Sequence, residues 1–122
     1  FLMVLAPFVN YNMDAIFPFC AEAAHNNGNL TIETFQSETG REIEVHISDT
    51  GSGMNQDKQE KIFELFYSEK KHGLGFGLWW SRTFMRKIGG DILVRSEIGK
   101  GSTFQIVVPF ITSSYSRLDA NK

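Results

Sequence analysis

The chain has 122 residues, 42% of them apolar, and its 12 basic and 14 acidic residues leave a formal net charge of −2. A chain of that length buries roughly two thirds of its unfolded surface, which fits one globular domain. The near-balanced charge offers no broad basic surface for nucleic acid or an anionic membrane. Cys20 is the only cysteine, which excludes an internal disulfide and any CxxC zinc pattern, and no stretch reaches the roughly 18 to 20 apolar residues of a membrane span.

Residues 1–17 place Val4, Phe8, Tyr11 and Ala15 at helical spacing, which predicts a helix. Pro7 costs roughly 3 kcal/mol inside a helix but little in its first turn, so the helix either starts near Pro7 or kinks there. The apolar run at 1–9 has neither a basic leader nor a small-residue cleavage site and is read as part of the fold, not as a signal peptide. It opens without methionine, so the chain reads as a fragment of something larger. Residues 20–24 fit one or two helical turns before an Asn/Gly-rich loop.

Leu30, Ile32 and Thr34 alternate with Thr31, Glu33 and Phe35, and Ile43, Val45 and Ile47 alternate with Glu42, Glu44, His46 and Ser48. Both runs have the period of half-buried strands, and Thr39-Gly40 between them predicts an antiparallel hairpin with His46 on its polar side. Residues 55–66 predict a short polar helix closing on Ile62, Phe63 and Phe66, and residues 67–75 a charged loop. The clearest helix is 76–89. There Trp80, Phe84 and Ile88 fall at i, i+4, i+8 beside Met85, while Trp79, Arg82 and Arg86 share another face. Gly89-Gly90 stops it. Ile92 and Val94, then Phe104, Ile106 and Val108, predict two strands around a turn at 99–101, the second ended by Pro109. This order predicts an α+β fold, a two-layer sandwich with helices packed on one face of a mixed, largely antiparallel sheet.

Three glycine clusters punctuate the second half: Asp49-Thr50-Gly51-Ser52-Gly53-Met54, Gly73-Leu74-Gly75-Phe76-Gly77-Leu78 and Gly99-Lys100-Gly101-Ser102-Thr103-Phe104. Glycine lets backbone approach a ligand closely. Asp49 ends a strand, and an ionised carboxylate only accepts hydrogen bonds. At the mouth of a pocket it suits the exocyclic amine of adenine and rejects the carbonyl of guanine, with Gly51 and Gly53 keeping the wall beside the base thin. The second cluster opens the best helix, where backbone N–H groups favour phosphate, with Lys70, Lys71 and His72 adding charge. The third places the hydroxyls of Ser102 and Thr103 at a pocket floor. Taken singly, each cluster is also a plain glycine turn. No βαβ unit supports a dinucleotide fingerprint, and no Gly-Lys-Ser/Thr opens the helix.

From about Asn29 to Pro109 the chain resembles the catalytic and ATP-binding domain of sensor histidine kinases, in the superfamily that also holds gyrase, the MutL repair proteins and the ATP-driven heat-shock chaperones. DTGSGM resembles the family's first glycine box, KIFELFYSEK its phenylalanine box, HGLGFGL its second glycine box and GKGSTF its last, with GGDILVRSE as the connecting strand. The short gap between the phenylalanine box and the second glycine box is similar to a kinase lid. The resemblance implies a Bergerat-type ATP-binding fold over residues 1–110, its first strand missing, followed by a polar tail at 111–122. It implies ATP contacts from Asp49, Gly51, Gly53, Met54, Phe66, Lys70, Gly73, Leu74, Gly75, Phe76, Gly77, Leu78 and Thr103.

The family's N box supplies an asparagine that coordinates the Mg²⁺ bridging the phosphates. Two registers match it here. One aligns CAEAAHNNGNLTI with the end of the box and leaves Ala15 and Phe19 at the asparagine positions. The other places Asn10 and Asp14 there, an amide and a carboxylate one helical turn apart as metal ligands. Under either, one family asparagine is lost.

The implied reaction is transfer of the ATP γ-phosphoryl group to a histidine on a separate helical dimerisation domain, within two-component signalling through a response regulator. A cytoplasmic site is implied, whether or not the parent protein is membrane-anchored. None of His25, His46 and His72 is followed by an acidic residue as an acceptor histidine would be. Trp79, Arg82 and Arg86 form a candidate docking face for the missing domain, or pack internally. A degenerate regulatory nucleotide-binding module and an anti-sigma-type serine kinase or ATPase are the alternative functions.

Overall fold

The computed structural model describes residues 28–67 and 77–109. The helix expected at 1–17, the turns at 20–24, the charged stretch from residue 68 and the tail at 111–122 lie outside the described residues. Strands β1 (Leu30–Gln36) and β2 (Glu42–Asp49) form the expected antiparallel hairpin, with Leu30 opposite Asp49 and Gln36 opposite Ile43. The turn is closed by the Ser37 amide on the Glu42 carbonyl at 2.9 Å and by the Ser37 hydroxyl, which accepts from the Glu42 amide at 3.1 Å.

Asn55 caps the first described helix, α1 (Gln56–Lys61): its side-chain oxygen accepts from the Lys58 amide at 2.8 Å, satisfying a donor the helix start would leave orphaned. The α-helix is shorter than the expected 55–66. After Lys61 the chain continues in tighter turns, Glu64 N–H on Lys61 O at 2.9 Å and Tyr67 N–H on Glu64 O at 3.2 Å. These turns push Ile62 and Phe63 into the core, at 3% and 8% exposure, and leave Phe66 outside it.

Helix α2 (Gly77–Lys87) ends as its glycines require. The Gly90 amide reaches back to Met85 O at 2.8 Å and the Gly89 amide to Arg86 O at 3.2 Å, pairing the last free carbonyls. Its buried positions are Ser81 and Met85, with Leu78 packed against the core beside them. The Trp80, Phe84, Ile88 stripe lies one step round the helix, and Trp80 and Ile88 stay 38% and 40% exposed. The buried stripe carries the small Ser81 and the flexible Met85, whose Cε lies against Gly90 where the chain passes the β4 backbone.

Strands β3 (Asp91–Glu97) and β4 (Gly101–Pro109) form a second hairpin. The sheet order is β1-β2-β4-β3, and each pairing is antiparallel. The period of two puts Ile47, Asp49, Ile92, Ser102, Phe104, Ile106 and Val108 on the face covered by the helices, where all are buried. Phe63 meets Phe104 edge-on at 6.4 Å between centroids, a favoured aromatic geometry. The structure is thus an α+β sandwich with helices on one sheet face. β1 departs from the half-buried expectation: like β3 it is an edge strand of the described sheet, and Ile32 on its inward side is 46% exposed, because the described helices pack over β3 rather than over β1.

Arg82 and Arg86 of α2 both direct Nε at Asp91 Oδ1, at 3.2 and 3.1 Å, and the Ile92 amide donates to the same oxygen at 2.8 Å. Arg82 also lies 4.4 Å above the Phe63 ring, a cation–π contact. The basic face expected to be a docking surface is therefore largely engaged within the domain, and Trp79 is half-buried beside Trp80.

Burial pushes the Asp91 carboxyl up, but the bonds from Arg86, Ile92 and Arg82 outweigh it and hold it below the ordinary carboxylate value of 3.8. A carboxyl depressed in the folded state contributes stability above its unfolded value and loses it as pH falls through the folded value. The stability difference between the parent chain and Asp91→Asn, measured by urea unfolding, is therefore constant from neutral pH to about pH 5 and shrinks below about pH 4.

Candidate functional site

The site is built where β2 runs out. Asp49 is the last residue of that strand and is only 5% exposed. Its Oδ1 accepts from the Gly51 amide at 2.9 Å, while Oδ2 is buried with no hydrogen-bond partner among the described residues. A buried carboxylate oxygen without a donor costs more than the 1–3 kcal/mol of a neutral group. The fold keeps that cost in place, and a ligand N–H would remove it.

The loop after Asp49 is held against the β3–β4 turn by backbone. The Gly99 amide donates to Ser52 O at 2.7 Å, and the Met54 amide to Ser96 Oγ at 2.7 Å. The Gln59 side-chain amide bridges Met54 O at 3.0 Å and Ser96 O at 3.1 Å. Two glycines are required by this approach. A Cβ on Gly53 would stand 2.0 Å from Glu97 O, and one on Gly101 would stand 2.0 Å from Asp49 O. Both also hold positive φ, 70° and 111°, which L side chains rarely adopt.

Ser102 lies directly across from Asp49 in the β2–β4 register and is 4% exposed. Thr103, expected at the pocket floor, points to the other face of the sheet: its partner there is Ser48, hydroxyl to hydroxyl at 2.9 Å. The reason is the strand period, since Phe104 is buried on the helix side and its neighbour must face away. Counting back by two from Phe104 identifies Ser102 as the hydroxyl beside Asp49, a signal the sequence contained.

The other expected ligand contacts fall into two groups. Met54 is 4% exposed and belongs to the core, presenting its backbone to Ser96. Gly77 begins α2, and Leu78 packs against the core. Phe66 is 74% exposed at φ 68°, an uncommon conformation for a bulky residue. Ile62 and Phe63 are the residues of that segment that enter the core. Lys70, Gly73, Leu74, Gly75 and Phe76, and the candidate metal ligands Asn10 and Asp14, lie outside the described residues. Among the described residues no group of three or more His, Cys, Asp or Glu is placed to hold a metal, and no helix is long and apolar enough to cross a membrane.

This sandwich is the fold of sensor histidine kinase catalytic domains. It superposes on the mycobacterial sensor histidine kinase MprB with a TM-score of 0.73 at 21% identity, over 84% of this chain and 70% of that one. It superposes on a nucleotide-free catalytic domain of the histidine kinase ThkA with a TM-score of 0.73 at 24% identity, over 84% and 66%. Residues 10–112 match the family described as histidine kinase-, DNA gyrase B-, and HSP90-like ATPase, and the chain belongs to that family. Among curated relatives it is 37% identical over 93 residues to Sporulation kinase C of Bacillus subtilis (strain 168), covering 76% of this chain and 21% of that kinase. It is 38% identical over 88 residues to the aerobic respiration control sensor protein ArcB of Escherichia coli (strain K12), covering 66% of this chain and 11% of that protein. The chain therefore spans 21% and 11% of the length of these two relatives.

Gly53→Ala and Gly101→Ala each collide with a backbone carbonyl and each place alanine at positive φ. Each is expected to lower stability by about 2 kcal/mol or more, read as a fall of roughly 10 °C in thermal midpoint.

Proposed function

We propose that this chain binds ATP with its adenine amine on Asp49 and donates the γ-phosphoryl group to a histidine on a separate helical dimerisation domain, in two-component signalling. The observation that carries the reading is the buried, unpartnered Oδ2 of Asp49. The exocyclic amine of adenine supplies the N–H that this oxygen lacks, and guanine offers a carbonyl that it would repel. Family membership and the kinase relatives support the reaction class.

In the proposed reaction an imidazole nitrogen of the accepting histidine forms a bond to the γ-phosphorus. The bond from that phosphorus to the β–γ bridging oxygen breaks, ADP departs, and the imidazole proton passes to a base. Catalysis of this kind is mainly positioning and charge neutralisation. Here the adenine ring is held by Asp49, and the main-chain approach at Gly53 and Gly101 fixes where that carboxylate points. The phosphate contacts assigned to Lys70, Gly73, Leu74, Gly75, Phe76 and Gly77, and Mg²⁺ ligation by Asn10 and Asp14, belong to the same proposal. A bound Mg²⁺ would neutralise charge on the phosphates. His46 is 26% exposed and pairs with Glu44 Oε2 at 2.9 Å, which suits a structural role and leaves the acceptor to another domain. The expected partners are that domain and a response regulator, in the cytoplasm.

Calorimetric titration with Mg-ATP is expected to give binding that Asp49→Ala weakens roughly 10- to 100-fold, the worth of a hydrogen bond to a charged group. No measurable binding by the parent chain, or equal binding by Asp49→Ala, overturns the reading. With an added helical domain, acid-labile phosphohistidine is the expected product. Phosphate release without a partner would instead identify an ATPase.

A further inference from the structure

Asp49, Ser102 and Ser96 form one row across three strands: Asp49 is opposite Ser102 in the β2–β4 pair, and Ser96 is opposite Ser102 in the β3–β4 pair. All three side chains face the helices. Ser96 Oγ is the hub of this row. It accepts from the Met54 amide at 2.7 Å and lies 2.9 Å from Gly101 O and 2.8 Å from Ser102 Oγ.

The protons can be assigned from chemistry alone. A carbonyl oxygen only accepts, so the single hydroxyl proton of Ser96 goes to Gly101 O. The contact between the two hydroxyls then needs the proton of Ser102, which donates to Ser96. Ser102 is left with only lone pairs for Asp49. The Ser102 hydroxyl is thereby turned toward β3, and among the described residues nothing bonds to Asp49 Oδ2, although the buried Ser102 stands directly opposite Asp49 in the β2–β4 pair, a placement in which side chains normally interact.

We propose that Ser96 is a specificity-determining positioning residue: by taking the Ser102 proton it stops Ser102 from capping Asp49 and keeps Oδ2 open for the amine of adenine. The inference rests on the adenine reading of Asp49. Without the Ser96 hydroxyl, the strongest acceptor facing Ser102 is the Asp49 carboxylate. A Ser102 proton placed there competes with an N–H donor. It also offers a donor to the carbonyl that inosine triphosphate carries where ATP carries its amine, so the preference for ATP narrows.

The test measures ATP and inosine triphosphate affinities of the full chain with Ser96→Ala, Ser102→Ala and both together. Ser96→Ala is expected to reduce the ATP preference about tenfold, equivalent to about 1.4 kcal/mol. In the Ser102→Ala background the same substitution leaves the preference unchanged, because no hydroxyl remains to cap Asp49. Ser96→Thr, which keeps the hydroxyl, restores it. A merely structural role for Ser96 lowers the thermal midpoint in both backgrounds without moving the ratio, and that result overturns the proposal. An equal loss of preference in both backgrounds overturns it too. A parent chain that binds ATP while Ser96→Ala keeps its selectivity sinks this inference alone, whereas a parent chain that binds neither nucleotide sinks the adenine reading together with it. If Ser96→Ala does not fold, Ser96→Cys, whose thiol is a weak acceptor, tests the same loss.

Discussion

The structure depends on how closely two backbones meet. The loop that follows Asp49 lies against the turn between β3 and β4, with Gly53 facing the Glu97 carbonyl and Gly101 facing the Asp49 carbonyl at distances that exclude a β-carbon. That contact brings the end of β2 against the start of β4 and the end of β3. It buries the Asp49 carboxylate and gives the Met54 amide a hydroxyl to bind. Any side chain at either glycine would open the contact and let water reach the carboxylate, which would lose the property on which the proposed function rests.

Around this contact, polar satisfaction is complete on one side and broken on the other. Ser96 and Gln59 between them bind the Met54 amide, the Met54 carbonyl, the Gly101 carbonyl and the Ser96 carbonyl. The second carboxylate oxygen of Asp49 is left out. Buried polar groups are nearly always paired, and among the described residues the side-chain exceptions are this oxygen and the Ser81 hydroxyl. The charged cluster on α2 has a different character. Arg82 and Arg86 converge on Asp91, and Arg82 covers Phe63. This ties the segment after α1 to the helix that opens with Gly77, so the two segments flanking residues 68–76 are anchored on the same framework.

Much of this was legible in the chain. The alternation in β2 and β4, the helix expected at 76–89 and its Gly89-Gly90 stop follow from local steric rules, and among the described residues these elements formed, the helix over Gly77–Lys87. The edge position of β1 was not legible, because alternation reports a face and not what covers it. The buried stripe of α2, Ser81 and Met85, lies one step from the Trp80, Phe84, Ile88 line that hydrophobicity favours, because side-chain hydrophobicity does not report which face of a helix meets the sheet. Thr103 faces away from Asp49 and bonds Ser48, as its phase relative to the buried Phe104 requires.

By itself, then, the sequence determined the elements, their order, the family and the carboxylate at the end of β2, since these depend on neighbours in the chain and on motif spacing. Only the tertiary structure decided which hydroxyl faces that carboxylate, which arginines are committed to Asp91, and that Oδ2 remains unpaired. Those outcomes depend on register between strands that are distant in sequence, where a shift of one residue turns every side chain to the opposite face.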